Sequence, residues 1–188
     1  GSNDGTGQIM DEAAARDPRL RVIHNPANMG FGAAFLTGLR QASYAACVMV
    51  PGDDSFSADA LRTLFSHCGK APIIIPFFTN AQSRPFARRA ISRAYTALMN
   101  MLSGYGLPYY NGPVIYPTME ARGLEIRGSG FSFQAEIVIR LLRKGLGFTC
   151  VGIPLCEKKK GGSHALKLKN FADVAATVCR LTLDRSAR

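Results

Sequence analysis

Hydrophobic and polar positions fall into blocks that switch between helical and strand periods. GQIMDEAAAR (7–16) predicts a short helix closed by Asp17-Pro18, and LRVIH (20–24) a short strand ending in the turn-forming NPANMG. Residues 31–43, rich in Ala and Leu, predict a helix. ACVMV (46–50) is a compact apolar strand stopped by Pro51-Gly52. Ser57 is placed to cap a helix over 58–67, and PIII (72–75) predicts the next strand. Helices alternating with near-continuous apolar strands predict a single α/β domain with a mostly parallel sheet.

The second half is less regular. Residues 84–101 predict a long helix with a basic first turn, and YGLPYYNGPVIYP is turn-rich with VIY as a strand. SFQAEIVIRLLRKG (132–145) has an amphipathic pattern and stops on Lys144-Gly145. FTCVGIPL (148–155) predicts a strand and CEKKKGGSHALK a mobile loop. A final helix over 167–184 gathers Leu168, Phe171, Val174, Val178 and Leu181 on one face. No internal repeat or linker divides the chain.

Composition narrows the class. The chain has 188 residues, 47% of them hydrophobic, which excludes a wholly disordered basic tail. No stretch approaches the ~20 apolar residues that a spanning helix needs. Five cysteines without a CxxC pair point to a reducing compartment and to small buried apolar side chains, not a disulfide framework or a zinc site. The polar start GSNDGTGQ is no secretory leader. These features predict a cytoplasmic protein.

The net charge of +10 is uneven. Residues 140–188 carry 11 Lys or Arg against 3 acids, so they supply +8 of it, and Arg84, Arg88, Arg89 and Arg93 form a second basic cluster. Such patches suit polyanions: nucleic acid, anionic lipid head groups or phosphorylated substrates. A basic nucleic-acid-binding module, with Tyr105, Tyr109 and Tyr110 available for stacking, is the competing class, but no helix-turn-helix, zinc or RNP-like signature accompanies it. No nucleic-acid partner is therefore expected. The terminal helix, with Lys167, Lys169, Arg180 and Arg185 beside its apolar face, offers a peripheral contact with an anionic membrane at the cytoplasmic face.

Two segments carry candidate chemistry. In VMVPGDDSF, a strand runs into a turn with Asp53 and Asp54, which puts carboxylates at a strand's C-terminal end, where open α/β sheets bind ligands. Carboxylates are hard ligands for Mg²⁺ or Mn²⁺. In NMGFGAAFLTG, Gly30 and Gly32 open a helix whose bare N–H groups can approach an anion, although neither GxGxxG nor a P-loop is spelled out.

Taken in order, GSNDGT, NMGFGAAFLTG and the post-strand PGDD resemble the nucleotide-sugar half of the family-two inverting glycosyltransferases. SRPFARRAISRAYTALMN, YYNGPVIY, FSFQAEIVIRLLRKG and IPLCEKKKGGSH resemble the acceptor half of the polyprenyl-phosphate (dolichyl-phosphate) mannose synthase branch. The resemblance spans nearly the whole chain. It implies a GT-A, Rossmann-like nucleotide-sugar fold with a donor-binding half (1–76), an acceptor half (77–165) and a C-terminal helix (166–188). The implied reaction moves a hexose from a nucleotide diphosphate sugar to a lipid-linked phosphate, with Mg²⁺ or Mn²⁺.

Residue by residue, Asp53 matches the last acid of the family's Asp-x-Asp metal motif, while Pro51 stands where the first acid is usual. Asp4, Asn28, Gly30, Gly32, Asp53 and Asp54 are thereby implied on the donor. Arg84, Arg88, Ser92, Gln134, Lys158, Ser163 and His164 are implied on the acceptor. Lys158 and His164 stand where the family's loop usually has Arg and Lys, and Asn111-Gly112-Pro113 replaces the branch's Ser-Gly-Phe. If the acceptor were a sugar hydroxyl, as in cell-surface polysaccharide synthesis, Glu136 would be the candidate base. Family members carry further strands before the GSNDGT position. Relative to them the sequence reads as truncated, with exposed strand edges that invite pairing with a second copy.

Overall fold

The computed structural model describes residues 1–156, apart from 129 and 131, and residues 168–186. The described helices are α1 (Thr6–Arg16), α2 (Phe31–Gln41), α3 (Ala58–Phe65), α4 (Phe86–Ser103), α5 (Thr118–Arg122), α6 (Phe133–Arg143) and α7 (Leu168–Ser186). The strands are β1 (Ala46–Val48), β2 (Ile73–Phe78), β3 (Ile115–Pro117) and β4 (Phe148–Ile153). The α/β class and most element positions agree with the sequence pattern. Ser57 caps α3 as its type predicts, its Oγ accepting the Ala60 N–H at 3.1 Å.

The sheet is mixed, in the order β1-β3-β2-β4. Strand β3 pairs antiparallel with both β1 and β2, and only β2 and β4 pair parallel. The expectation of a mostly parallel sheet therefore holds for strand direction but not for pairing: β1, β2 and β4 run one way, and the short β3 is inserted in reverse. The common direction of those three gathers their C-terminal ends, with the entry to β3, along one edge.

The predicted strand at 20–24 does not form. Val22 and Ile23 are half-buried, but the segment joins no ladder. It is tied by side chains instead: Arg21 Nη2 donates to Gln41 Oε1 at 2.6 Å, and His24 Nε2 lies 2.9 Å from Asp11 Oδ1. His24 thus has an acidic partner that the linear sequence did not reveal.

Both sheet faces are covered. Ile74, Ile115, Val151 and Ile153 pack with Ala60 and Leu64 of α3 on one side. Ile73, Ile75 and Tyr116 pack against α4, α6 and α7 on the other. Helix α6 lies at the centre of this larger layer, and of its eleven residues only Arg140 and Arg143 escape full burial. The amphipathic pattern expected there is overridden because α7 covers the face that would have met water. Leu181 of α7 is buried in this core and Val174 and Val178 pack against it, while Phe171 and Leu183 of the same helix stay exposed. Two arginines stitch the helices at their ends. Arg143 donates to the Leu181 and Leu102 carbonyls at 2.8 and 3.1 Å, and Arg122 caps the end of α2 through the Leu39 and Ala42 carbonyls.

All five cysteines are free thiols. Cys68 and Cys179 are exposed, against the expectation of uniform burial. No described helix is long and apolar enough to cross a membrane.

Candidate functional site

A cavity of about 620 Å³ opens at the edge where β1, β2 and β4 end. The loop after β1 contributes Met49, Pro51, Asp53 and Ser55, and the end of β2 contributes Phe78. Arg84 and three turns of α4, presenting Arg88, Ser92 and Tyr95, form the facing wall. Asn111, Gly112 and Gln134 make the floor, and Phe31, Phe171 and Val174 the apolar remainder. Arg88, Ser92 and Tyr95 lie at i, i+4 and i+7, one face of a helix.

Asp53 is held by a local turn. Its Oδ1 accepts both the Ser55 N–H, at 3.2 Å, and the Ser55 hydroxyl. Asp54 adopts a left-handed conformation, φ 54°, the one positive φ outside glycine among the described residues, and it is not part of the cavity wall. That conformation lets the chain turn between β1 and α3 and suits Asp better than a branched residue.

Arg84 is positioned by stacking. Its guanidinium carbon lies 4.7 Å from the centroid of the Phe78 ring, while its buried Nε has no hydrogen-bond partner. Neither Arg84 nor Arg88 has an ion-pair partner among the described residues. Gln134 is buried, and its Nε2 donates to the Gly112 carbonyl at 2.7 Å, fixing the turn that leads into β3. Tyr95 sits behind Ser92, and burial pushes its phenol well above the ordinary tyrosine range.

The other expected donor residues lie outside this cavity and serve the turns before it. Asp4 Oδ1 accepts the Thr6 hydroxyl and N–H at 2.6 and 3.2 Å, which holds its carboxyl below the usual range and satisfies a free donor at the start of α1. Asn28 Oδ1 accepts the Gly30 N–H at 3.1 Å, and Gly30 has φ 91°, a conformation only glycine takes easily. Gly32 is buried in the first turn of α2. The backbone of Gly1 is pressed against Ala27 and Asn28, so the two loops are neighbours.

Glu136 is not a cavity residue. It is fully buried, its Oε1 accepting from Arg140 and its Oε2 from Arg180, at 3.1 and 3.3 Å. Both oxygens of this candidate base are engaged in an ion-pair network that also draws in Asp184, 2.6 Å from Arg140. Lys158, Ser163 and His164 lie outside the described residues. Tyr95 was not apparent as a site residue, although its spacing from Arg88 and Ser92 carried the signal.

The sequence profile described as "Glycosyl transferase family 2" matches residues 1–124. The chain belongs to glycosyl transferase family 2. Two curated family relatives are each 27% identical: an undecaprenyl-phosphate mannosyltransferase of Micrococcus luteus, over 86% of this chain and 71% of the relative, and a polyprenol monophosphomannose synthase of Mycolicibacterium smegmatis, over 87% and 66%. This family-two chain therefore spans about two thirds of their lengths. Among solved structures it is similar to glucosyl-3-phosphoglycerate synthase of Mycobacterium tuberculosis. The complex with UDP superposes with a TM-score of 0.65 at 16% identity, over 95% of this chain and 66% of that one. The complex with Mn²⁺, UDP-glucose and phosphoglyceric acid gives 0.62 at 14%, with the same coverage. At that identity the likeness establishes the fold, that of the GT-A glycosyltransferases.

Proposed function

We propose that the chain carries metal-dependent transfer of a hexose from a nucleotide diphosphate sugar to a polyprenyl-phosphate-type lipid. One observation carries this reading: a single cavity at the strand ends brings a carboxylate, Asp53, to face Arg84, Arg88 and Ser92. The first suits a cation that accompanies the donor's diphosphate, and the others suit the phosphate of an acceptor. The names of the two curated relatives, both enzymes of polyprenyl-phosphate mannosylation, support the same acceptor class.

The donor set fits Mg²⁺ or Mn²⁺ in a particular way. Among the described residues no cluster of three acidic, histidine or cysteine side chains could hold a metal alone. Asp53 supplies one hard carboxylate, and such ions are commonly bound by one or two carboxylates together with substrate phosphates. When bound, the ion would supply Lewis-acid neutralisation of the departing diphosphate.

The remaining work belongs to this chain's own side chains. Arg84 and Arg88 bind and orient the acceptor phosphate, and Ser92 donates to it. A phosphate oxygen forms a bond to the anomeric carbon as the bond from that carbon to the diphosphate breaks, and the electron pair leaves with the nucleoside diphosphate. The attacking oxygen is already anionic, so no proton need be removed. Among the described residues that line the cavity, Asp53 is the one carboxylate. A sugar-hydroxyl acceptor would need a base, and Glu136 is committed elsewhere. Met49, Phe31, Phe171 and Val174 give the cavity the apolar surface that a polyprenyl chain would meet. In this reading residues 1–76 serve the donor and 77–165 the acceptor, with α7 closing one side.

Thermal denaturation with GDP-mannose and UDP-glucose, each with and without Mn²⁺, tests the donor class. Stabilisation by one of them that requires the metal is the expected result. Equal melting under all conditions would count against the proposal.

A further inference from the structure

A second cavity, of about 430 Å³, lies on the other flank of α4. Arg84, Phe78, Ser92 and Tyr109 wall both cavities, so they are neighbours separated by a row of side chains. The second is lined along α4 by Arg89, Arg93, Thr96 and Asn100, which with Ser92 form a polar stripe at helical spacing. Among the described residues that line it, three are arginines and none is acidic. Among the described residues neither Arg89 nor Arg93 has an ion-pair or side-chain hydrogen-bond partner, and Arg84 brings a buried, unpartnered Nε.

The placement is unfavourable without a ligand. Arg88 and Arg89 sit in the first turn of an eighteen-residue helix that has no acid in that turn and no side-chain cap. Cations there oppose the positive end of the helix dipole, and Arg89 with Arg93 make a like-charged i, i+4 pair. A bound polyanion would reverse both effects. Arginine forks also match phosphoryl oxygens in pairs.

We propose that this second cavity is a binding site for a phosphoryl anion, separate from the Asp53 cavity, held by Arg89 and Arg93 with Arg84 as the shared wall. The anion is either the head group of an anionic lipid or a free phosphate compound, and the chemistry of recognition is the same. This site does not depend on the transfer reaction assigned above.

Calorimetric titration with inorganic pyrophosphate, without metal, tests it on the wild type, on Arg88→Gln and on Arg89→Gln/Arg93→Gln. Glutamine keeps a good helix former at these solvent-accessible positions, and far-UV circular dichroism verifies folding. Saturable binding should persist in Arg88→Gln and weaken by at least about tenfold in the double variant. Binding that is lost in Arg88→Gln and unchanged in the double variant would overturn the proposal, as would no binding by the wild type. Co-sedimentation with phosphatidic acid vesicles, against phosphatidylcholine vesicles, separates the sources. Selective pelleting that the double variant loses identifies a lipid head group, and pyrophosphate binding without selective pelleting identifies a free phosphate compound.

Discussion

Arg180 Nη2 lies 3.3 Å from Glu136 Oε2, joining α7 to α6 across forty-four residues of chain, and the glutamate it meets is fully buried. Arg140 holds the other oxygen from one turn along α6. A buried carboxylate with two guanidinium partners is a fastening, and removing one member leaves buried charge uncompensated. Glu136→Ala should therefore lower stability by about 3 kcal/mol in urea unfolding. Glu136→Gln should leave the shape of the pH–rate profile unchanged; loss of the acidic limb from that profile would restore the glutamate as a base.

Asp53→Ala should remove metal-dependent donor binding, because among the described residues of the cavity wall no second carboxylate can substitute. Asp54→Ala should do less, its main effect being on the left-handed turn. Donor titrations in Mn²⁺ check both, and equal affinity in wild type and Asp53→Ala would remove the metal assignment.

Arg88→Ala should raise the acceptor KM by about tenfold to a hundredfold, the worth of a hydrogen bond to a charged group, and leave donor affinity nearly constant. Arg84→Ala should behave similarly and also free the Phe78 ring. Loss of donor binding in both variants would mean that these arginines hold the diphosphate.

How much of this was legible in the sequence depended on how local the cause was. The α3 cap and the helix that carries Arg88 and Ser92 were readable because residues within a few positions determine them. The pairing of β3 was not, since three residues carry no signal for which neighbours they will find. The burial of Glu136 was invisible for the same reason: α6 reads as amphipathic until α7, some forty residues later, covers its polar side. Asp4 and Asn28 were read as ligand residues, and the turns that hold one oxygen of each, through Thr6 and Gly30, were not foreseen.

Alkaline pH should unfold the protein in a defined window. Burial pushes the Tyr110 phenol from an ordinary 10.0 up to about 12, and raises Tyr95 and Tyr116 further. These phenols are neutral in both states below pH 10, so their contribution is fully present there. As pH rises from about 10 towards 12 only the unfolded state ionises, and stability falls. The Tyr110 hydroxyl donates to Asn100 Oδ1 at 2.9 Å, so Tyr110→Phe should shrink that loss while lowering stability at pH 7 by about 1 kcal/mol. Tyrosinate absorbance followed against unfolding checks it: titration of every tyrosine before unfolding would contradict the assignment.

The central claim is that one cavity serves a metal-accompanied donor and an acceptor phosphate together. Its most direct test is transfer of labelled hexose from a nucleotide diphosphate sugar in Mn²⁺, offered polyprenyl phosphate and a sugar-hydroxyl acceptor side by side, with wild type, Asp53→Ala and Arg88→Ala. The account predicts that the wild type labels the lipid phosphate, that Asp53→Ala does not, that Arg88→Ala labels it less at subsaturating lipid, and that the hydroxyl acceptor stays unlabelled. Label on the hydroxyl acceptor, or undiminished labelling of the lipid by either variant, would contradict it.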